Sequence, residues 1–452
     1  MMRYKAAIMM TMFFSIFIFL RTGFAEVSEQ EASKLKSTLT PLGAEKAGNK
    51  EGTIPAWEGG YTTVPPGYKS GDVRPDPFES EKPLYSITSK NMDQYTEKLT
   101  EGVKELLKKY PTFRLDVYPT HRTAAAPQCV YDGTFKNATR AKTTENGLNF
   151  ENAYNGIPFP IPKNGHEAMW NHTLAWRGVA LFVPFRNYLI TTGGKLVMTA
   201  EAEDTQQHPN YQCDIPFEKW NKKTWYFRQM QTAPAFKAGE TILAVDDWTQ
   251  GGRQTWQYLT GQRRVRRAPS ISYDTPDFVN SGQNYFDEVH VFNGMMDRYD
   301  WKLIGKQEMV IPYNCNKFYQ KKDKEVIGEK HLNPDYLRWE LHRVWVVEAT
   351  LASGKRHAVP KRRFYLDEDT WKAVMSDGWD GQNQMWRFIM TVPLLAMELP
   401  GVSTYTQAVY NLQTGAYGVN ILVNEMPKQV EVVPPHPDSF FTPDALAGMG
   451  QR

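Results

Sequence analysis

The longest regular alternation of apolar and polar positions in the chain runs from Arg338 to Leu351. One of its two faces carries Trp339, Leu341, Arg343, Trp345, Val347, Ala349 and Leu351. Successive side chains of a β-strand point to opposite faces, so this period of two predicts a half-buried antiparallel strand. Ser353-Gly354 supplies a turn, and residues 361–366 are predicted to form the next strand of a meander.

Comparable β patterns recur along the chain from Trp176 onward, many of them separated by glycine turns such as Gly193-Gly194. The predicted strands are 177–185, 187–192, 195–202, 223–231, 241–247, 253–260, 264–267, 287–293, 299–304, 307–313, 338–351, 361–366, 385–391, 404–412 and 416–423. We therefore expect a mainly β protein, with a large curved antiparallel sheet or unclosed half-barrel and a few covering helices.

The first third of the chain has a different pattern. Residues 91–110 show helical spacing of apolar positions and end before Pro111, which predicts one amphipathic helix. Between residues 113 and 150, short runs such as RLDVYP and PQCVYDGTF are predicted to be β. Residues 40–83 carry Pro or Gly every few positions, so they form either a disordered linker or, as the interspersed aromatics favour, an ordered arm.

These shifts divide the chain into four parts. Residues 1–25 are predicted to be a signal peptide, and 26–120 a Pro/Gly-rich arm and helix packed on the body. Residues 121–426 would form the β half-barrel, and 427–452 an irregular tail.

The N-terminus has the three regions of a secretory signal. Arg3 and Lys5 precede an apolar run, and Gly23-Phe24-Ala25 fits a small-x-small cleavage site. We expect export to the periplasm, and the sequence leaves association with the outer membrane open. An uncleaved anchor is the alternative, because Arg21 precedes the cleavage site.

Charge argues against a nucleic-acid partner. Without Arg3, Lys5 and Arg21 the basic count falls from 53 to 50, equal to the 50 acidic residues. A neutral mature chain lacks the net basic surface that such partners require. The aromatic content of 13% instead suits a large β structure with many packed faces.

Three cysteines, Cys129, Cys213 and Cys315, are too few for a disulfide framework and too widely spaced for a local metal clip. One bridge with one free thiol is compatible with the sequence, which does not select the pair.

Motifs for catalysis, metal binding and nucleotide binding are absent. The sequence contains no HExxH, no GxSxG, no GxGxxG and no Walker loop, and no Cys/His cluster has zinc spacing. The carboxylates at 367–369 are typical of a turn and helix start rather than of a glycosidase pair. We therefore predict no catalytic residues, no metal and no cofactor.

Aromatic side chains on shared strand faces are the strongest binding signal. They form either ordinary β core or the lining of an apolar cavity. Arg343, placed among apolar neighbours, either contacts the polar head of a ligand or satisfies an internal carboxylate. The candidate ligand-binding residues are Trp256, Tyr258, Trp301, Trp339, Arg343 and Trp345.

The arginine run at 261–269 leaves two alternatives. Its side chains meet phosphate or carboxylate groups of a partner, or they form a solvated strand end paired with Asp246, Asp247 and Asp274.

Several long segments resemble one known family. They include LTPLGAEKAGNKEGTIPAWEGG, NGIPFPIP, FNGMMDRYDWKLIGKQEMVIPYN, HLNPDYLRWELHRVWVVEATL and KRRFYLDEDTW. The resemblance is to domain-of-unknown-function family 1329, often described as outer-membrane lipoprotein-sorting proteins, and it runs from about residue 27 to 423. It implies a relative of the periplasmic lipoprotein carriers, with an unclosed half-barrel over an apolar cavity. It also implies that the protein functions together with an outer-membrane channel-like protein and an RND-type exporter.

Three hypotheses about function follow. The first is a periplasmic carrier for a lipid, a sterol-like molecule or a lipoprotein acyl chain. The second is an envelope hydrolase, which a pocket holding Asp and His with strongly perturbed pKa values would favour. The third is a structural adaptor of an export complex.

Overall fold

The computed structural model describes residues 27–449. The predicted signal peptide, residues 1–25, lies outside this range. No helix within the described range combines the length and the apolar character that crossing a bilayer requires.

Most of the described chain folds into one extended β-sheet. Its strands and those of two small hairpins are β1 (Tyr85–Ile87), β2 (Leu115–Val117), β3 (Lys142–Thr144), β4 (Asn149–Glu151), β5 (Ala180–Ile190), β6 (Leu196–Gln207), β7 (Lys223–Ala233), β8 (Thr241–Asp247), β9 (Gly252–Leu259), β10 (Arg264–Arg267), β11 (Tyr299–Pro312), β12 (Trp339–Leu351), β13 (Lys361–Asp367), β14 (Ala373–Trp379), β15 (Met385–Thr391), β16 (Leu394–Ala396), β17 (Gly401–Ser403), β18 (Gln407–Asn411), β19 (Tyr417–Leu422) and β20 (Glu431–Val432).

The sheet has sixteen strands in the order β1-β2-β12-β13-β14-β15-β18-β19-β5-β6-β7-β8-β9-β10, with β11 beside β12 and β20 beside β5. Its long strands pair antiparallel, and β3–β4 and β16–β17 are separate hairpins. In residues 27–449 no pairing joins the two ends, so the sheet does not close into a barrel. The predicted fold class, mainly β with an unclosed curved sheet, is confirmed.

Helices are few and short. They are α1 (Glu29–Ala32), α2 (Glu101–Lys109), α3 (Gln128–Arg140), α4 (Gly165–Thr173), α5 (Asp323–Val326) and α6 (Pro443–Met449). The helix predicted over 91–110 is divided: residues 92–98 form a 3-10 turn, and Thr100 then caps α2 by accepting a hydrogen bond from the Val103 N–H.

Some local predictions were wrong, and one strand was not predicted. The segment PQCVYDGTF lies in α3 rather than a strand, because Val130, Thr134 and Ala138 bury one helical stripe and tertiary packing outweighs their β preference. Residues 373–379 form β14, which the sequence did not indicate because both its faces are buried and no alternation appears. Residues 287–293 are not a strand.

The alternation at 338–351 does correspond to a single antiparallel strand, β12, but both its faces are covered rather than one. Val344 and Val346 share a hydrophobic cluster with the apolar side of α2. Val347 and Ala349 pack on the other face with Phe364 and Trp301. The covering layers come from outside the sheet, which a strand pattern cannot reveal.

The Pro/Gly-rich segment 40–83 is an ordered arm. Trp57 donates its indole N–H to the Ala124 carbonyl at 2.9 Å, and Arg74, 1% exposed, pairs with Glu398. A disulfide joins Cys129 in α3 to Cys213, and Cys315 is a buried free thiol. The protein therefore has one disulfide and one free thiol, as the sequence allowed.

The segment between β10 and β11, residues 268–298, crosses one face of the sheet, and we name it the strap. Its first residue donates a backbone N–H to Thr255 of β9, and further along Asp287 contacts Arg362 of β13. The strap therefore forms a covering layer over this face of the sheet.

Candidate functional site

Two buried ion pairs hold the strap to the sheet. Asp287 accepts a hydrogen bond from Arg362 at 2.7 Å, and both side chains are at most 3% exposed. Glu288 accepts two hydrogen bonds from Arg387 of β15, each 2.6 Å long. Burial alone would raise the pKa of Asp287, but Arg362 and His357 hold that pKa below its usual value. Asp287 is therefore a fixed anion in the interior.

Amide side chains attach the strap farther along the same face. Asn280 donates to Asn284 at 2.9 Å and to Asn420 of β19. Thr199 of β6 donates to Asn280 at 3.2 Å. Asn284 also donates to the carboxyl of Asp277 at 3.1 Å, and burial raises the pKa of Asp277 to about 6. The strap is thus held by side-chain hydrogen bonds rather than by strand pairing.

A cavity of about 680 Å³, including its mouth, lies between the strap and the sheet. Strands β5 to β9 and β19 form its floor, and the strap forms its roof. The apolar lining residues are Phe185, Trp225, Phe227, Ile242, Ala244, Ile271, Val279, Phe286, Val289 and Ile421. A mostly apolar lining with a few polar groups is typical of small-molecule sites.

A few polar groups reach this cavity. Asp204 is fully buried, and burial raises its pKa to about 8, so the carboxyl is neutral at pH 7. Arg253 forms a two-point ion pair with Asp246, with both distances 2.7 Å, and lies over the Trp225 ring. Arg253 is therefore neutralised by the protein. Asp277 also lines the cavity, and with a pKa of about 6 its carboxyl is ionised at neutral pH, where it accepts a hydrogen bond from Asn284 at 3.1 Å.

His290 of the strap connects the cavity to two smaller ones. It lines the apolar cavity, a second cavity of about 420 Å³ and a third of about 260 Å³. Arg177 lines both smaller cavities, His208 the second and Lys372 the third. Burial first, and the nearby Arg177 second, lower the pKa of His208 to about 3, so its imidazole is neutral. These small cavities have a basic lining, whereas the large one is apolar.

The six residues predicted to bind a ligand do not come together in one cavity, and none of them lines the apolar cavity. Trp256 and Tyr258 alternate with the cavity-lining Thr255 and so lie on the opposite face of β9, where Trp256 packs near the C-terminal Phe441. Trp301 packs against Phe292 of the strap. The role of these three residues in binding remains a prediction.

The other three predicted residues lie on β12. Trp339 is fully buried, and Trp345 stacks on Trp371 with ring centroids 5.9 Å apart. Arg343 donates to the Ala47 carbonyl at 3.1 Å and lies 3.6 Å from Glu45 and 3.9 Å from Glu368. Of the two alternatives for Arg343, these contacts favour satisfying internal oxygens, and its contact with a ligand stays a prediction.

The arginine run forms β10 at one end of the sheet order, and its arginines 264, 266 and 267 are exposed. Asp246, one of its proposed partners, pairs with Arg253 instead.

One buried group has the side chains of a metal site. Each of the three residues His342, Asp367 and Asp369 offers one potential ligand atom, and these atoms lie within 4.8 Å of one another. The protein already uses these atoms, since Asp369 binds Arg122 and His342 contacts Glu340 at 3.0 Å. Arg122 also donates to the Glu45 carbonyl of the arm at 2.7 Å, so the cluster is an internal charge network that joins the arm, β12 and the turn after β13.

The sequence offered one signal for the cavity. Trp225 and Phe227 share a face of β7 by simple alternation, and they stack in the cavity with ring centroids 4.8 Å apart. The strap residues could not be identified in this way, because they have no periodic pattern.

Comparison with known proteins establishes the family. The family model described as protein of unknown function (DUF1329) matches residues 86–447. The chain belongs to the DUF1329 family. An uncharacterized protein of Pseudomonas aeruginosa is 40% identical to it over 449 residues, which cover 95% of each chain. The family predicted from the sequence motifs is confirmed.

Solved structures similar to this DUF1329 protein include two from other bacteria. A DUF1329 family protein from Desulfovibrio piger is 14% identical, with a TM-score of 0.39, and the match covers 60% of this chain and 92% of that one. A LolA superfamily protein from Nitrosomonas europaea is 11% identical, with a TM-score of 0.37, covering 63% of this chain and 100% of that one.

Proposed function

We propose that this DUF1329 protein is a periplasmic binding or carrier protein for a hydrophobic ligand such as a lipid, a sterol-like molecule or a lipoprotein acyl chain. The observation that carries the proposal is the apolar cavity between the strap and strands β5 to β9. The signal-like N-terminus supports an exported location. The family resemblance suggests an outer-membrane channel-like protein and an RND-type exporter as partners.

Physical chemistry favours an elongated apolar ligand. Burying each methylene group contributes about 0.8 kcal/mol, which is roughly a fourfold gain in affinity. The strap is held to the sheet mainly by side-chain contacts and not by a continuous ladder of backbone hydrogen bonds. Opening the strap would therefore give a ligand access without disturbing the sheet.

Native mass spectrometry of the protein purified from its envelope tests the proposal directly. We expect an apolar molecule to co-purify, and alkyl chains of increasing length to bind the delipidated protein with increasing affinity until the cavity is filled. Absence of both a co-purifying ligand and any chain-length dependence would refute a carrier role.

Cavity variants provide the matched comparison. Phe227→Ala removes an aromatic wall of the cavity, and Ala244→Leu fills part of it. Both should weaken binding of a fluorescent alkyl probe, whereas Phe236→Ala, at a side chain that is 78% exposed, should leave it unchanged. Circular dichroism would show that all three variants remain folded.

One observation favours a hydrolase as the second candidate. Asp204, whose pKa burial raises to about 8, and His290, whose pKa burial lowers well below its usual value, line the same cavity. Among the described residues no hydrogen bond joins the two side chains, as an acid–base pair would require. Turnover of ester or amide substrates that Asp204→Asn abolishes would establish this alternative.

A further inference from the structure

We propose that the ligand is an amphipathic molecule with an oxyanion headgroup, which binds between Arg177 and Lys372 while its apolar chain occupies the cavity beneath the strap. The inference rests on the proposed carrier function and names the class of ligand within it.

Arg177 is a buried cation that no carboxylate neutralises in the described part of the chain. Its side chain is 8% exposed, and its guanidinium donates to the carbonyls of His172, at 3.2 and 3.3 Å, and Thr173, at 3.5 Å. These carbonyls end α4, so the helix dipole offsets part of the charge. A guanidinium does not lose its proton in a protein, and a full positive charge therefore remains in the interior.

Lys372 is a second buried basic side chain, and it lines the same cavity. It is 2% exposed, and its ammonium donates to the Val402 carbonyl. Burial lowers the pKa of Lys372 well below its usual value, and the nearby Arg177 lowers it further. The carboxylate of Asp367 partly offsets this lowering, but between residues 27 and 449 no carboxylate lies within ion-pair distance of Lys372, so an incoming anion would further stabilise its charged form.

The cavity between these two groups suits a headgroup. It has a volume of about 260 Å³ including its opening, and it is lined by Ser403, Thr404 and Tyr405 as well as the two basic residues. Hydroxyl groups can donate hydrogen bonds to an anionic oxygen without adding charge. The only carboxylate lining the adjoining 420 Å³ cavity, among the described residues, is Asp246, which Arg253 already neutralises. The two small cavities that Arg177 lines therefore have a net positive charge.

His290 places this pocket next to the apolar cavity. It lines all three cavities, and the strap backbone there is strained, with φ of +55° at His290 and +69° at Val291. A positive φ is costly for a β-branched residue, so surrounding contacts must hold it. Gln407 supplies one such contact by accepting the Val291 N–H at 3.0 Å. His208, which lines the second cavity, has no hydrogen-bond partner at its Nδ1 within residues 27–449.

The test compares ligands that differ only in their headgroup. Delipidated mature protein would be titrated calorimetrically with dodecanoic acid, dodecyl phosphate, dodecanol and dodecyltrimethylammonium. We expect the two anions to bind at least about tenfold more tightly than dodecanol, and the cation to bind most weakly, because hydrogen bonds to a charged group are stronger than those between neutral groups. The ratio between dodecanoic acid and dodecyl phosphate then identifies a carboxylate or a phosphate headgroup.

Variants locate the headgroup. Arg177→Gln and, separately, Lys372→Met should each reduce affinity for the preferred anion about tenfold or more while leaving that for dodecanol unchanged. The control Arg264→Gln removes an exposed arginine of β10 and should change neither affinity. If Arg177→Gln does not fold, Lys372→Met and the headgroup series of the wild-type protein still decide the question.

The outcomes separate the two proposals. Equal binding of the anions and dodecanol by the wild-type protein would overturn the headgroup site and leave the carrier function standing. Loss of anion and alcohol binding to the same extent in Lys372→Met would also overturn it. Failure of every amphiphile to bind the wild-type protein would overturn the carrier function itself.

Discussion

Arg362 of β13 and Asp287 of the strap are 75 positions apart in the sequence and form an ion pair at 2.7 Å, and both side chains are buried. The strap has no strand pairing with the sheet in this region, so this contact and the Glu288–Arg387 pair determine where it crosses. The roof of the cavity therefore depends on a few buried charges.

Removing one partner of this pair should be strongly destabilising. Arg362→Met leaves Asp287 buried with only His357 beside it, and we expect a loss of about 3–5 kcal/mol in the free energy of unfolding. Urea denaturation measures this loss, and hydrogen exchange should show the amides of the strap opening first. Arg363→Met is the matched control: its ion pair with Glu348 is one-third exposed and should cost less than about 1 kcal/mol. Equal losses in the two variants would contradict the role of the buried pair.

Asp204 should make stability depend on pH. Its pKa is about 8 in the folded protein against an ordinary 3.8, so between these values the unfolded chain ionises while the folded chain keeps the proton. The contribution of Asp204 to the free energy of unfolding is therefore fully present below about pH 4. It is lost as the pH rises toward 8, by up to about 1.4 kcal/mol per pH unit. Asp204→Asn should match the wild type near pH 4 and become progressively the more stable protein above it. A difference in unfolding free energy that is constant with pH would refute this assignment.

The disulfide should be a major source of stability. Cys129 and Cys213 are 84 positions apart, and closing a loop of that length stabilises the folded state by about 4.5 kcal/mol in the chain-entropy description. Replacing both with Ala should lower the melting temperature, and added reductant should then have no further effect. Cys315→Ala should keep the reductant sensitivity of the wild type. Burial raises the pKa of the Cys315 thiol to about 12, so it should react with Ellman's reagent only after unfolding.

Arg343 offers a choice between anchoring the arm and contacting the ligand. Its hydrogen bond to the Ala47 carbonyl predicts that Arg343→Met loosens residues 40–57, at a cost of about 1–2 kcal/mol, and leaves affinity for an alkyl probe unchanged. Hydrogen exchange of the arm and a probe titration measure the two effects, with the exposed Arg356→Met as control. Lost probe affinity with an undisturbed arm would instead support the contact with ligand that the alternation at β12 predicted.

Local sequence was informative wherever one strand face determined the pattern. The bounds of β10 and β15 agree with those predicted, and β12 and β13 differ by one residue, because alternation and turn residues are local properties. α3 and β14 were missed because their burial is set by distant segments. In the cavity, the pairing of Trp225 with Phe227 on one face was visible in the sequence.

By itself, the sequence determined the β class of the fold, its family and many of its strands, since these follow from period, turns and motifs within short windows. Only the tertiary structure decided that residues 268–298 cross the sheet as a strap, that Cys129 pairs with Cys213, and that Arg177 and Lys372 line one cavity. The reason is physical: hydrophobic period is a property of neighbouring residues, whereas a cavity and its charges depend on which distant side chains share the same buried volume.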